Sequence, residues 1–403
     1  MPAFDTQSLR SLGVLFAATI SIAIIGVHFH VVGAMVKPLG EAYGWTRGEV
    51  AFALTISSVI HPFTNILLGM LVDRYSARSI ALPGIAGWAI GTALLGLVGG
   101  PVWTWYAGYI AFSLLGFAAS SIVFTKLIVQ NFSKRRGLAL ATSLAGAGVL
   151  VSTIPSIVLG FERTFGLGGV YPAMAACAFA LMFIPCWLFL PREDAAARVA
   201  AQAVPRADWR EVVGSTILWR LAIAFLFIAS CVGTFIVHLQ PMLADAGLSR
   251  DDAATVALFL GPAMIVGRLG TGLLFDILPT RLVAAVAFSL PALACLWLWL
   301  VPLDFRSAVA LAMLIGVAMG SEVDVVAYMS SRYFGLRRYG LVFAILISVY
   351  GFAVGTSSWA AGKAFDAMGN YHATLMVLIV GVAIAVGLIL SLGRPPELEK
   401  EAR

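Results

Sequence analysis

A long apolar segment of this chain ends in Gly69-Met70-Leu71-Val72-Asp73-Arg74-Tyr75-Ser76-Ala77-Arg78. The same pattern returns 203 residues later in Gly272-Leu273-Leu274-Phe275-Asp276-Ile277-Leu278-Pro279-Thr280-Arg281. In both copies the Asp follows the Gly by four residues and the Arg follows the Asp by five. A pattern repeated at matched spacing indicates that the chain contains two copies of one structural half.

A second pair of motifs repeats at almost the same offset. The first is Phe132-Ser133-Lys134-Arg135-Arg136-Gly137, and its counterpart is Phe334-Gly335-Leu336-Arg337-Arg338-Tyr339-Gly340. Two motifs that repeat at nearly the same spacing are stronger evidence for duplicated halves than one motif alone. Duplicated membrane halves are typical of secondary transporters, whose binding site lies between the halves.

The composition requires a membrane around this chain. Hydrophobic residues make up 61% and charged residues 11% of its 403 residues, whereas a soluble domain has roughly 45–50% and 25%. The sequence therefore predicts an all-α integral membrane protein, with twelve transmembrane helices in two pseudo-symmetric six-helix halves. The apolar runs lie at 11–36, 49–72, 80–99, 104–130, 137–161, 170–190, 219–243, 252–275, 282–301, 306–331, 339–362 and 371–392.

The charges of the loops predict domain boundaries and orientation. We expect an N-terminal half at 1–190, a cytosolic linker at 191–218 and a C-terminal half at 219–403. With both termini in the cytosol, the inner segments carry three times as many Lys and Arg residues as the outer ones, as the positive-inside rule requires. The net charge of +6 then reflects topology, so we expect no nucleic-acid partner. The predicted location is the cell's inner (plasma) membrane.

Chemistry other than transport has little support in the sequence. The four cysteines, Cys177, Cys186, Cys231 and Cys295, are scattered through apolar runs, which argues against a disulfide framework or a zinc site. No metal-ligand cluster, nucleophile–base pair or phosphate-binding loop is visible. We therefore expect no enzyme activity, no cofactor and no metal.

The repeated motif, the Arg-Arg-Gly after the fourth run and the central linker together resemble the major facilitator superfamily over essentially the whole chain. Two stretches are similar to its monocarboxylate and oxalate–formate branch. They are the first outer loop, Val36 to Arg47, and the run from Gly320-Ser321-Glu322-Val323-Asp324 to Arg337. The resemblance implies transport by alternating access.

The repeated motif itself predicts a gate. Each Asp ends a membrane segment, where it can contact helix N-termini or a neighbouring Arg in one conformation only, while the glycines would allow close helix approach. The alternative is that these residues only shape a tight loop and have no role in gating. The predicted gating residues are Gly69, Asp73, Arg74, Arg78, Gly272, Asp276 and Arg281.

Three ionisable residues inside apolar runs are the strongest site candidates, because charge within a bilayer is costly. Arg268 lies near the middle of its run, and a guanidinium matches a carboxylate in charge and geometry. The resemblance also implies a substrate-binding Arg in this eighth segment. The alternative is a structural ion pair with Glu322 or Asp324. Those two acids point in different directions on a helix, so one would pair with a cation while the other carries a coupling proton.

Five further polar residues are predicted to contact substrate: His30, His61, Asn65, Lys126 and Tyr328. Asn65 is the counterpart of Arg268 at the 203-residue offset, and Lys126 has snorkelling to the cytosolic surface as its alternative. Neutral imidazoles are tolerated in a bundle core, so the histidines have a structural alternative, and His28 ranks behind the other two.

These residues favour a proton-coupled transporter that takes up a small organic acid anion, an aliphatic or aromatic monocarboxylate. The predicted partners are this anion, protons and the lipid bilayer, and the predicted state is a monomer. The alternative is efflux of drugs or metabolites by proton antiport. The first apolar run contains no acidic residue and the fifth lacks a Gly-Pro-x-x-Gly-Gly element, and both absences count against efflux.

Overall fold

The computed structural model describes residues 6–26, 28–132, 136–191 and 209–393, some of them by backbone alone. The described part is helical, with 3₁₀ turns at Leu95–Leu97 and Leu167–Gly169. Its α-helices are α1 (Thr6–Gly26), α2 (His28–Tyr43), α3 (Arg47–Arg74), α4 (Ala77–Leu94), α5 (Trp103–Leu115), α6 (Ser121–Asn131), α7 (Arg136–Phe165), α8 (Val170–Phe189), α9 (Trp209–Val213), α10 (Thr216–Asp245), α11 (Arg250–Ala257), α12 (Leu260–Ile277), α13 (Thr280–Leu300), α14 (Phe305–Met368) and α15 (His372–Leu390).

These helices supply the twelve predicted membrane crossings. Within the described ranges, nine helical stretches are long and apolar enough to cross a bilayer. The other three crossings are α3, the α5–α6 pair and α7. Large apolar side chains such as Phe63, Leu188 and Val377 are exposed, as expected where lipid replaces water. The predicted fold class is confirmed.

Two crossings predicted as continuous runs are interrupted. The eighth divides between α11 and α12. The fourth breaks after Gly116 and resumes at Ser121, where the extended Ser120 caps α6 by accepting the Ile122 N–H at 3.3 Å. Conversely, α14 joins two predicted crossings through Gly335, whose φ of 71° is unfavourable for residues with a side chain. Hydrophobicity alone does not reveal these breaks, because their residues are as apolar as their neighbours.

The chain forms two compact units, and the first comprises Met1–Trp45 and Ile56–Val204. Its largest fully buried side chains include Trp105, Tyr109 and Phe124. Helix α4 packs closely on the broken crossing, because a Cβ added at Gly87 would lie 2.1 Å from the Leu115 carbonyl oxygen. Small residues permit such close contact in lipid.

The second unit comprises Thr46–Thr55 and Pro205–Arg403. Its core contains Phe225, Phe235 and Phe288, and α14 packs along α10 and α12. The predicted linker and domain boundaries remain predictions. Most of the linker, residues 192–208, lies outside the described part of the chain.

The first turns of α3 belong to the second unit, which includes Thr46–Thr55. Arg47 supplies their main contacts with the rest of that unit. The Arg47 guanidinium donates to both carboxylate oxygens of Asp245 at 2.7 and 2.8 Å and to the Tyr371 hydroxyl at 2.8 Å. It also stacks on Phe365, 3.7 Å from the ring centroid. The Asp366 carboxylate accepts the Arg47 backbone N–H at 3.0 Å and so caps the start of α3.

A buried histidine extends this Arg47 network. His238 Nε2 lies 2.8 Å from the Ser358 carbonyl oxygen and Nδ1 lies 2.9 Å from the Tyr371 hydroxyl. A carbonyl only accepts, so Nε2 carries the proton. In the neutral ring Nδ1 then accepts from Tyr371, whose oxygen is left to accept from Arg47. Every hydrogen bond in this chain of groups therefore has one donor and one acceptor.

Arg47→Ala is expected to destabilise the protein by about 1.5–3 kcal/mol, the usual contribution of hydrogen bonds to charged groups. Thermal unfolding in detergent measures this as a lower Tm. In a double-mutant cycle with Asp245→Ala the two losses should not add, because they remove the same contact. Arg306→Ala is the control: this arginine is exposed, so its loss should cost no more than about 0.5 kcal/mol. Equal effects of Arg47→Ala and Arg306→Ala would contradict the network.

Candidate functional site

The second unit brings together Arg268 with both predicted acids. Arg268 is carried by α12, while Glu322 and Asp324 lie on α14. Arg268 Nε is 2.9 Å from Asp324 Oδ2, with 15% and 30% of the two side chains exposed. The Nε atom nevertheless has no partner in hydrogen-bond geometry. The contact is an ion pair whose donor is not directed at its acceptor.

Glu322 has a different environment from Asp324, as their helical spacing predicts. It is only 2% exposed, and the Tyr350 hydroxyl lies within hydrogen-bonding reach of its carboxyl group. Its Oε2 atom is buried and has no hydrogen-bond partner among the described residues. Tyr350 in turn stacks on Phe225, with ring centroids 5.5 Å apart. We call Arg268, Glu322, Asp324 and Tyr350 the Arg268 cluster.

Close packing of α12 on α14 holds the Arg268 cluster together. A Cβ added at Gly320 would lie 2.0 Å from the Met264 carbonyl oxygen, and one at Gly267 would lie 2.3 Å from the Val317 carbonyl oxygen. The two backbones are therefore in direct contact at the residue before Arg268 and again two residues before Glu322. These close contacts at Gly267 and Gly320 bring Arg268 within reach of the two acids.

Two predicted contacts have structural partners. Lys126 Nζ donates to the Val72 carbonyl oxygen near the end of α3 at 2.6 Å. Tyr328 stacks on Phe275 with centroids 4.1 Å apart and an interplanar angle of 12°. Both residues thus join neighbouring helices, and a substrate role for them remains a prediction.

The predicted gating residues are only partly visible. The backbone of Gly69, Asp73, Arg74 and Asp276 is helical, and their side-chain positions lie outside the described part. Arg78 donates to the Leu190 carbonyl oxygen at 2.6 Å, and Arg281 is exposed. The close helix contact expected at Gly272 is not seen, since a Cβ there would meet no atom within 4 Å.

The first unit contains a cavity of about 200 Å³. It is bounded by residues of α1 to α6 and of the break between α5 and α6. Of the predicted substrate contacts, His61 and Asn65 line it, while His30 does not. Its other lining residues include His28, Trp88, Phe112, Phe117, Ser120 and Ser121.

His28, which the sequence analysis places behind His30 and His61, also lines this cavity. Its Nδ1 atom lies 2.9 Å from the Ile25 carbonyl oxygen, while its buried Nε2 atom has no hydrogen-bond partner among the described residues. Its ring centroid lies 6.3 Å from that of His61. The available sequence signal was a polar side chain inside an apolar run.

A larger cavity of about 620 Å³ lies in the second unit beside the Arg47 network. Asp245, Trp299, Tyr371 and His372 are among its lining residues, and none of the predicted substrate contacts is. In the described ranges, no three His, Cys, Asp or Glu residues are grouped closely enough to hold a metal ion.

The sequence of this chain is similar to those of known transporters. Residues 14–353 match the family model described as Major Facilitator Superfamily. An uncharacterized MFS-type transporter of Bacillus subtilis, YcxA, is 25% identical over 90% of this chain and 90% of its own length. A protein of Thermus thermophilus described as a probable nitrate/nitrite antiporter, NarK1, is 24% identical over 70% of this chain and 65% of its own.

Solved structures share the fold. A bacterial homologue of the human lysosomal transporter Spinster, in an inward-facing and occupied conformation, aligns with a TM-score of 0.71 at 16% identity, covering 95% of this chain and 96% of that one. The unoccupied inward-facing form gives a TM-score of 0.65. At this identity the likeness concerns the fold.

Proposed function

Because the chain belongs to the major facilitator superfamily and is a multi-pass membrane transporter rather than an enzyme, we propose that it takes up a small monocarboxylate together with a proton by alternating access. The observation that carries this proposal is the Arg268 cluster. A guanidinium within the membrane is paired through Nε with one acid and lies near a second, buried acid.

The cluster has the groups that anion–proton coupling needs. A guanidinium presents five donors in a planar fork, and the contact with Asp324 occupies one edge of it. A carboxylate entering on another edge would compete with both Asp324 and the nearby Glu322 for the positive charge. Such competition weakens the ionised form of these acids and favours protonation of one of them, so anion binding and proton binding support each other.

A small inorganic oxyanion is the second candidate. The Thermus relative described as a probable nitrate/nitrite antiporter points to planar anions, and nitrate offers a guanidinium the same pair of oxygen acceptors as a carboxylate. The proposed assay therefore includes both classes.

Purified protein in proteoliposomes tests the proposal directly. We expect saturable uptake of at least one radiolabelled carboxylate, stimulated when the outside is more acidic than the inside and inhibited by other carboxylates. The neutral amide of the same acid is the matched control and should not compete. Uptake of nitrate or nitrite alone would favour the second candidate, and uptake of neither class would reject an anion transporter.

Glu322→Gln is expected to keep substrate exchange across the membrane while losing accumulation driven by a pH gradient. The amide retains hydrogen bonding to Tyr350 but cannot exchange a proton. Counterflow and gradient-driven uptake, measured on the same vesicles, separate the two activities. Asp324→Asn makes the same change at the more exposed acid of the cluster and is measured in the same way. If both variants keep full gradient-driven uptake, neither acid carries the proton, and the histidines of the first unit are the next candidates.

The proposed orientation has both termini in the cytosol. Single cysteines at Ser76 and Gly100, in loops on opposite sides of α4, should react with a membrane-impermeant thiol reagent from the cytosol and from outside respectively. The native cysteines are first replaced by alanine. The reverse pattern would overturn the orientation inferred from the loop charges.

A further inference from the structure

The larger cavity, in the second unit, lies where three helices end. Its lining includes Asp245 at the end of α10, Leu300 at the end of α13 and Gly369 immediately after α14. A helix carries partial negative charge at its C-terminus, so such ends favour cations. Helix α15 begins beside them, and its first N–H, that of His372, already donates to the Asn370 side-chain oxygen at 3.0 Å. The helix ends around this cavity therefore favour positive charge.

The end of α13 leaves backbone acceptors beside this cavity. Residue 302 is a proline, so it has no N–H to donate to the Leu298 carbonyl oxygen. The Asp304 N–H, which a longer helix would direct at Leu300, instead donates to the Ser307 hydroxyl at 3.0 Å. Both Leu298 and Leu300 line the cavity, and a carbonyl oxygen only accepts. We therefore expect a ligand with hydrogen-bond donors.

The charged side chains add to the negative character of this cavity. Asp245 is paired with Arg47, yet 33% of the Asp245 side chain is exposed, and it lines the cavity. The charged groups that interact with the neighbouring Tyr371 hydroxyl are Arg47, Asp245 and Asp366, two negative charges against one positive. The described lining contains no Lys or Arg, and its basic side chain is the imidazole of His372. A cation is therefore favoured over an anion.

The size and the remaining lining of the cavity select an organic cation. Its volume of about 620 Å³ lies within the range of roughly 300–1,000 Å³ that is usual for small-molecule sites. Trp299 stacks on His372 with ring centroids 5.4 Å apart, and Phe365 and Leu375 supply further aromatic and apolar surface. Aromatic rings attract cations, and apolar surface accommodates a hydrocarbon group. An ammonium group with an apolar substituent uses both kinds of surface.

We propose that this cavity binds a water-soluble organic ammonium compound. The N–H groups of the ligand donate to Asp245 and to the carbonyl oxygens at the end of α13, and its apolar part lies against Trp299. Asp245, Asn370 and His372 are exposed, so the cavity opens to water. The members of the Arg268 cluster are not among the described lining residues, and the site does not depend on the proposed transport of an anion.

Calorimetric titration of the full-length protein in detergent with 2-phenylethylammonium chloride tests this site. We expect saturable binding. The neutral compound with the same carbon skeleton, 2-phenylethanol, should bind about tenfold or more weakly, because hydrogen bonds between charged groups are the stronger kind. Asp245→Asn removes the charge of the acceptor and should weaken binding of the ammonium compound by a similar factor.

Asp245→Asn also weakens the contact with Arg47, so a second variant leaves that contact alone. Ala246→Phe introduces a ring at an exposed position that lines the cavity, and we expect it to abolish binding with little change in Tm. Asp251→Asn is the matched control, because this exposed acid lies outside the described lining. It should bind like the unchanged protein, and so should Arg268→Ala.

The outcomes separate this site from the Arg268 cluster. The proposal is overturned if the unchanged protein does not bind 2-phenylethylammonium, if 2-phenylethanol binds equally well, or if Asp245→Asn and Ala246→Phe both keep full affinity. Loss of binding in Arg268→Ala with normal binding in both cavity variants would assign the amine to the Arg268 cluster instead. Competition by dioctanoyl phosphatidylethanolamine, without competition by dioctanoyl phosphatidylglycerol, would replace the soluble ligand by a lipid headgroup. Failure of carboxylate uptake would leave this site unaffected.

Discussion

Arg268→Ala is expected to abolish saturable carboxylate uptake in proteoliposomes. Truncating one partner of a buried charge pair costs about 2–5 kcal/mol, which corresponds to a loss of affinity of roughly thirtyfold or more. Arg268→Lys keeps the charge but not the planar fork, so we expect a smaller loss of affinity. The measurement is the concentration dependence of initial uptake rates.

Loss of uptake alone would not distinguish substrate binding from stability, because the variant leaves Asp324 without its cation. The double variant Arg268→Ala/Asp324→Ala removes both members of the ion pair. We expect it to recover the thermal stability of the unchanged protein in detergent while remaining inactive. If uptake recovers with stability, Arg268 is a structural partner of Asp324, and the anion proposal loses its main support.

Gly320→Ala is expected to reduce both stability and uptake, although it changes no charge. The added methyl group would lie 2.0 Å from the Met264 carbonyl oxygen, so α12 and α14 must separate. Overpacking of a close contact costs about 1–3 kcal/mol, and the separation moves Arg268 away from the acids on α14. We expect a lower Tm together with uptake reduced by roughly tenfold or more, by the conversion of about 1.4 kcal/mol per tenfold.

Gly270→Ala is the matched control on α12. A Cβ there meets no atom within 4 Å, and alanine favours a helix over glycine by up to about 1 kcal/mol. This variant should keep its uptake and have an equal or higher Tm. If Gly320→Ala matched Gly270→Ala in both uptake and Tm, the contact between α12 and α14 at Gly320 would not be tight.

The sequence predicted the membrane fold better than it predicted the arrangement of the site. Twelve crossings and the meeting of Arg268 with an acid could be anticipated, because apolar length and intramembrane charge are visible in the chain itself. That Asp324 rather than Glu322 holds the ion pair depends on which face of α14 packs against α12. Gly320, one turn before Asp324, lies on that face, and composition does not reveal it.

Two further residues show the same limit. Lys126 has a backbone carbonyl of α3 as its partner, and no side-chain pattern marks such an acceptor. His28 was ranked behind His30 because the resemblance implies a polar or basic substrate contact near His30. Which of the two imidazoles lines the cavity depends on the direction of each ring, with His28 Nδ1 toward Ile25, and composition does not reveal it.

The Arg47 network has a consequence for building chimaeras of this protein. The duplicated sequence invites an exchange of halves at the linker, yet Thr46–Thr55 belongs to the second unit. A chimaera joined only at the linker would combine a foreign residue 47 with the native Asp245 and Asp366. Compatible exchange therefore needs three junctions, one on each side of this ten-residue insert and one in the linker. By the same reasoning, natural substitutions at positions 47, 245 and 366 are expected to occur together.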